Sequence, residues 1–268
     1  NSNCYEDSVE TLRGTFKKLE LIINGAFYIR FADNAVKNIV VSNWGDGVGI
    51  TKEQAAKVTT LGNKFQGNSE ITSFDEFKYF TKLTEVISQG FRNCANLKSV
   101  VIPNNVRSIG GSSFQDCKNL KDIGNNLHNV QVFSYSVFQN CNSLEGEFDL
   151  SSCNSFGNAA FADCPKITRV TLSNQLTSIP GSLFARCYNL EYVNIPLSLV
   201  SIDSQAFRDC HSINVPIVLP DTLRSIGGSA FEGVSEIPYI KVLATTPPTL
   251  SYSVFDGSTC PIYVPANS

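Results

Sequence analysis

Apolar positions return along this chain with a long period. A Phe is followed three residues later by Cys and six residues later by Leu or Ile. A short alternating apolar run comes next, then an Ile five residues before the next Phe. Phe91, Phe114, Phe138, Phe161, Phe184, Phe207, Phe231 and Phe255 mark the repeat, at intervals of 23, 24, 23, 23, 23, 24 and 24 residues. A fixed period in this range predicts stacked coils. One such unit cannot bury its apolar face alone, whereas neighbours in register can.

Within a unit, Leu97, Val100 and Ile102 point one way and Pro103 ends the run; Ile167, Val170 and Leu172, and Leu190, Val193 and Ile195, repeat it. Stacking these runs predicts a parallel β-sheet. A second apolar pair follows, as Val106 with Ile109, Leu176 with Ile179, Leu199 with Ile202 and Leu223 with Ile226. Strand, second pair and Phe make three apolar contacts, hence a triangular cross-section with a Phe column on the far side. Two units deviate. After Phe138 the strand slips by a residue, which places Cys153 at the Val106-like position and Phe156 where Ile is usual. After Phe114 the strand loses its Pro and gains Asn125-Asn126, which predicts a bulged loop. The last unit carries Val234 in place of Cys and keeps Ile237, Ile240 and Val242. "CPIYVPANS" begins a closing strand, and the natural chain is expected to continue past Ser268.

The first 90 residues lack the full pattern. Residues 1–31 carry two alternating runs around Asn24-Gly25, a hairpin signal; they read as an edge hairpin or the tail of a preceding domain. Residues 32–76 read as a helix–loop–helix cap. Asp33 caps a first helix through Val36, Ile39 and Val40, and Thr51 with Gln54 forms a capping box for a second. Trp44 is expected to plug the end of the core. The loop 43–53 invites comparison with a calcium site, but Asp46 is its only acid before Glu53, too few carboxylates for the ion. Residues 77–268 form the coils, with Phe77 taking the Phe position of a truncated first unit and Phe80 the Cys position.

Nine cysteines could suggest a disulfide framework. Six of them (Cys94, Cys117, Cys141, Cys164, Cys187 and Cys210) recur once per coil, as a column rather than as pairs. Buried, reduced thiols capping local carbonyls are expected, since free Cys packs as a small hydrophobe. Adjacent rungs lie ~5 Å apart, so geometry leaves a bridge open. Metal binding is the weakest reading: no CxxC occurs, and His128 and His211 are not spaced as ligands. With 21 basic and 24 acidic residues and no basic run, nothing points to nucleic acid. No apolar stretch approaches the ~20 residues that span a bilayer. The chain starts without Met or a signal segment and reads as a mature fragment or an excised piece of a longer chain, so its N-terminus does not report its compartment.

The pattern F-x-x-C-x-x-L-x-x-V-x-I-P with I-x-x-x-x-F, over about residues 77–263, resembles the BspA-like leucine-rich repeat family. The lead-in "FADNAVKNIVVSNWGDG", "EQAAKVTTLG" and "ITSFDEFKYFTKLTEV" extends the resemblance back to about Phe31. Some relatives carry a fuller acidic, dockerin-like loop there; this chain lacks those acids. The resemblance implies a right-handed leucine-rich repeat solenoid of about seven coils, with a parallel β-sheet on one face and a helical N-terminal cap. It further implies a bacterial surface or secreted protein, acting in adhesion through host extracellular-matrix or plasma glycoproteins, with no catalytic residues and no cofactor.

The residues themselves support catalysis poorly. A nucleophile needs a base within reach, and His128 and His211 occupy non-equivalent positions of distant coils. Binding suits the form better. The outward positions of the strand are Lys98, Ser99 and Val101; Thr168, Arg169 and Thr171; Glu191, Tyr192 and Asn194. Arg169 and Tyr192 hold equivalent positions in adjacent coils and could form one anchor patch. The plainer reading is a solvated face with a stacked Arg–Tyr pair. The partner expected is a macromolecule, bound by a monomer without membrane insertion. The alternative is a structural spacer or stalk that carries other domains of a longer surface protein. A carbohydrate-binding module would want several exposed aromatics in a row, and Tyr192 stands nearly alone.

Overall fold

Each coil turns three corners because its apolar residues come in three groups. In the computed structural model, which describes residues 27–124 and 126–266, all three groups face one continuous core. The first wall is parallel sheet. Ser99–Val100 pairs with Ser73–Phe74; Glu145–Leu150, Lys166–Leu172 and Tyr192–Val193 form a second piece; Ile217–Leu219, Ile240–Val242 and Ile262–Tyr263 form a third. Leu97, Val100, Ile102, Val170 and Leu190 are buried beneath it.

The second apolar pair also builds a wall of its own. Val86, Ile109, Phe133 and Phe156 align in parallel register, as do Ile179, Ile202, Ile226 and Leu250. The solenoid therefore has parallel pairing on two faces, where the sequence pattern suggested one. Most strands are only two residues long, because a corner follows so soon. Coils approach closely at these corners: a Cβ on Gly227 would lie 2.3 Å from the Ser204 nitrogen.

The third wall consists of turns. From Phe91 to Phe231 the backbone N–H of each column Phe donates to a carbonyl of the next coil, as Phe114 to Val137 (2.9 Å) and Phe184 to Ala206 (2.9 Å). This wall places residues two before and two after the Phe in the left-handed region, with φ near 60° at Ser112, Asp116, Asn140, Asp163 and Arg186. Asn and Asp tolerate that geometry better than most residues, which suits them to the position two after the Phe, where Asn93, Asp116, Asn140, Asp163 and Asp209 stand. Inside, neighbouring rings lie 5.1–5.8 Å apart from Phe65 to Phe255, within the favourable stacking range.

The column thus begins at Phe65, one coil earlier than the sequence pattern suggested, giving about eight coils. Phe77, expected in the column, sits beside it, 5.8 Å from Phe91 and tilted by 59°. The register of Ser73–Phe74 with Ser99–Val100 makes Phe74 the equivalent of Val100. That first coil was illegible because it lacks the Cys and spaces its apolar residues differently.

The cysteines form a second column. The thiols of Cys94, Cys117, Cys141, Cys164, Cys187 and Cys210 donate to the carbonyls of Phe65, Phe91, Phe114, Phe138, Phe161 and Phe184, at 2.9–3.2 Å. Each acceptor belongs to the preceding coil, so the thiol is an inter-coil tie rather than the local cap expected from sequence. Cys153 is buried as well, against the Gln131 and Ser155 carbonyls. All cysteines among the described residues are free. Burial pushes the Cys153 and Cys187 thiols up to about 12, and Cys164 and Cys210 well up, so none of these four is a thiolate at neutral pH. Seven thiols are buried out of reach and are expected to resist a thiol reagent in the native chain and to react together on unfolding. Stoichiometric labelling of Cys187 in the folded state, read by peptide mass spectrometry, would contradict the tie.

A small cap closes the first coil. Helix α1, Asn34–Trp44, buries Val36 and Val40; helix α2, Lys52–Ala55, starts with the expected Thr51–Gln54 capping box. Trp44 meets Phe80 edge-on at 6.4 Å, at the end of the core as expected. The hairpin expected around Asn24-Gly25 lies outside the described residues.

Candidate protein-binding face

The outward residues of the first wall are set by strand alternation. Where Val170 and Val193 point in, Arg169 and Tyr192 point out, and parallel register makes them neighbours. The Arg169 guanidinium lies 4.0 Å from the centre of the Tyr192 ring. On its other side Arg169 faces Glu147, its register partner, at 3.9 Å. The three side chains run across adjacent coils as acid, base and aromatic. An Arg held between a ring and a carboxylate is pre-ordered, which lowers the entropy lost on contact with a partner.

The other expected site residues divide into two groups. Thr168 and Glu191 lie beside the Arg169–Tyr192 pair, with the Thr168 hydroxyl donating to the Gly146 carbonyl at 3.1 Å. Asn194 turns back onto the wall: its side chain accepts from Leu172 N at 2.6 Å and donates to Leu172 O at 3.1 Å. It extends the sheet rather than facing outward. Lys98 and Ser99 lie on an earlier coil, separated from Arg169 by the rungs that carry Asp122 and Glu147. The missed residues are these two acids. Glu147 follows a bulge between Gly146 and Glu147, which shifts it into register with Arg169. The slipped strand after Phe138 was the signal; its new register needed the partner strand.

Other readings find little to stand on. The Asp46 carboxylate accepts from the Tyr28 hydroxyl and from the Val48 and Gly49 N–H groups, which uses it within its own loop. Among the described residues no group of three His, Cys, Asp or Glu could hold a metal ion. His211 stacks on Tyr188 at 5.5 Å, while the adjacent Cys210 thiol bonds the Phe184 carbonyl. Among the described residues no helix is long and apolar enough to cross a membrane.

The comparisons agree with this architecture. A leucine-rich repeat protein from Bacteroides ovatus superposes with a TM-score of 0.60 and 21% identity, over 78% of this chain. This chain spans only 64% of that protein's length. The leucine-rich repeat protein of T. pallidum gives a TM-score of 0.51 and 25% identity, over 58% of this chain and 72% of its own. No curated protein matches. The profile of the BspA type leucine-rich repeat region matches residues 84–214 and 215–262, with six copies. That match takes in well over half of the chain, and the chain belongs to the BspA-type leucine-rich repeat family.

Proposed function

We propose that this chain is an adhesion module of an extracellular or cell-surface protein, and that it binds a protein partner through the first sheet wall. Leucine-rich repeat regions generally mediate protein–protein interaction, and a solenoid typically acts as a binding surface rather than a catalyst. The observation that carries the reading is the Glu147–Arg169–Tyr192 row, a pre-ordered Arg and Tyr on an exposed flat face. Tyr and Arg are the residue types most often found to anchor protein interfaces. Host extracellular-matrix or plasma glycoproteins are the partners that the family resemblance suggests. Surface location rests on the same resemblance.

The test is binding to a panel of immobilised matrix and plasma glycoproteins. Arg169→Ala/Tyr192→Ala, matched to the parent in stability, is expected to bind roughly tenfold more weakly or worse. Both substituted side chains are outside the core, so the fold should survive. Equal binding by parent and variant would move the site off this wall. Binding by neither would favour a spacer role in a longer protein.

A further inference from the structure

The first wall is interrupted twice, between Ser99–Val100 and Glu145–Leu150 and between Tyr192–Val193 and Ile217–Leu219, and the first interruption borders Glu147. On this wall, among the described residues, the only ladder pairing between the coil of Phe114 and its predecessor is a single bridge between Asp122 and Ser99. The chain then passes Gly124 at φ 66° and turns into a 3-10 helix, Asn126–Asn129, instead of continuing the strand. Among the described residues the next strand, Glu145–Leu150, therefore has no strand neighbour on this side. A notch of about 300 Å³ opens between them. Irregular coils in an otherwise regular solenoid are where a wall can become concave.

The chemistry of the notch is one-sided. Asp122, Glu145, Glu147 and Asp149 line it, against the Lys121 ammonium and the His128 ring. Lys121 pairs with Glu145 at 3.0 Å, and Glu147 is shared with Arg169. Asp122 accepts from Gly124 N and Asp149 from Ser151 N, and the His128 ring lies in the same notch. The floor is apolar, formed by Ile123, Leu127 and Phe148. Carboxylates at the rim over an apolar floor suit a side chain with an aliphatic stem and a cationic head. A bare metal ion would gain nothing from the floor, and an anion would be repelled.

We propose that this notch is the subsite of the binding wall that receives a Lys or Arg side chain of the protein partner. The proposal rests on the sheet-wall reading above and names the partner's chemistry at that wall: a basic residue set beside the contact with Arg169 and Tyr192. Salt should weaken this contact, since the rim is exposed.

The test titrates the whole ¹⁵N-labelled chain with the blocked tripeptide acetyl-Gly-Arg-Gly-amide, its Lys counterpart, and the neutral citrulline isostere. Saturable shifts are expected at the Gly124, Glu147 and Asp149 amides with the Arg or Lys peptide, with roughly tenfold weaker binding by citrulline. A Glu147→Gln/Asp149→Asn variant should lose the response while its spectrum elsewhere stays that of the parent. No saturable shift at these amides, or equal binding of Arg and citrulline peptides, would overturn the proposal. The parent titration decides this even if the variant misfolds. Glycoprotein binding lost in Arg169→Ala/Tyr192→Ala together with a silent notch would remove this inference and leave the wall reading intact. A responsive notch with no glycoprotein binding would do the reverse.

Discussion

Phe184→Ala is expected to lower the stability of the chain by about 3–5 kcal/mol. Phe184 is fully buried in the middle of the ring column, 5.7 Å from Phe161 and 5.8 Å from Phe207. Truncation leaves its backbone ties in place: its N–H still donates to Ala206 and its carbonyl still accepts from Cys210. Those ties hold the coil at its present spacing, so the walls cannot close on the void. The lost ring contacts and the cavity therefore both count. A mid-array substitution also weakens two coil interfaces, and a broadened or split transition is expected, since repeat arrays lose cooperativity when a central interface fails. Urea unfolding followed by far-ultraviolet circular dichroism measures it. Phe255→Ala serves as the control. Phe255 is only partly buried and stacks on Phe231 from one side, at 5.6 Å, so its loss should be clearly smaller. Equal effects at the two positions, or a loss under ~1 kcal/mol at Phe184, would mean that the column is not what holds the coils together.

Asp33→Ala is expected to cost about 2–4 kcal/mol, concentrated in the cap: ~1 from the lost N-cap and ~1–3 from a buried donor left unmatched. One Asp33 oxygen accepts from Ala35 N and Val36 N, which caps α1. The other accepts from Thr72 N at 2.6 Å and the Thr72 hydroxyl at 2.7 Å. One carboxylate thus starts the cap helix and ties it to the first coil. Trp44, the only Trp, sits at the end of α1 and reports cap loosening by fluorescence.

The same residue predicts an acid response. Burial by itself would push the Asp33 carboxyl up, but the bonds from the Thr72 hydroxyl, Thr72 N–H, Val36 N–H and Ala35 N–H together hold it below its ordinary value. A depressed folded value stabilises the native state fully above the unfolded value of ~3.9 and loses that contribution as pH falls through the folded value. Cap stability in the parent should therefore fall below about pH 4. Asp33→Asn, which keeps an acceptor but cannot titrate, should be less stable at neutral pH and less sensitive to acid. Identical pH profiles of Trp44 fluorescence for parent and Asn variant would show that Asp33 does not carry the acid response.

Much of the solenoid was legible because the same physical demand is repeated. Every coil needs an inward Phe, a thiol-sized residue three later and an inward strand, so the demands print themselves at a fixed period. Helix α1 was legible for a local reason: Asp33 lies just before an apolar pattern. The first coil was not, since Phe65, Ile71 and Phe74 meet the same inward demands with other residues and spacings. On the wall, alternation alone predicted that Arg169 and Tyr192 face outward together. It could not place Glu147 beside them, because a bulge resets the count and only the partner strand reveals by how much.

Residue spacing was enough for the period, the inward residues, the Cys and Phe columns and the pairing of Arg169 with Tyr192. These depend on spacing along the chain, which stacking converts directly into neighbourhood. The folded chain was needed to see that each thiol ties to the preceding coil, that Asn194 serves the sheet rather than the surface, and that the wall opens beside Glu147. Those outcomes depend on which backbone groups of one coil meet which side chains of the next. That offset is set by bulges and corner geometry, which leave no periodic trace in the sequence.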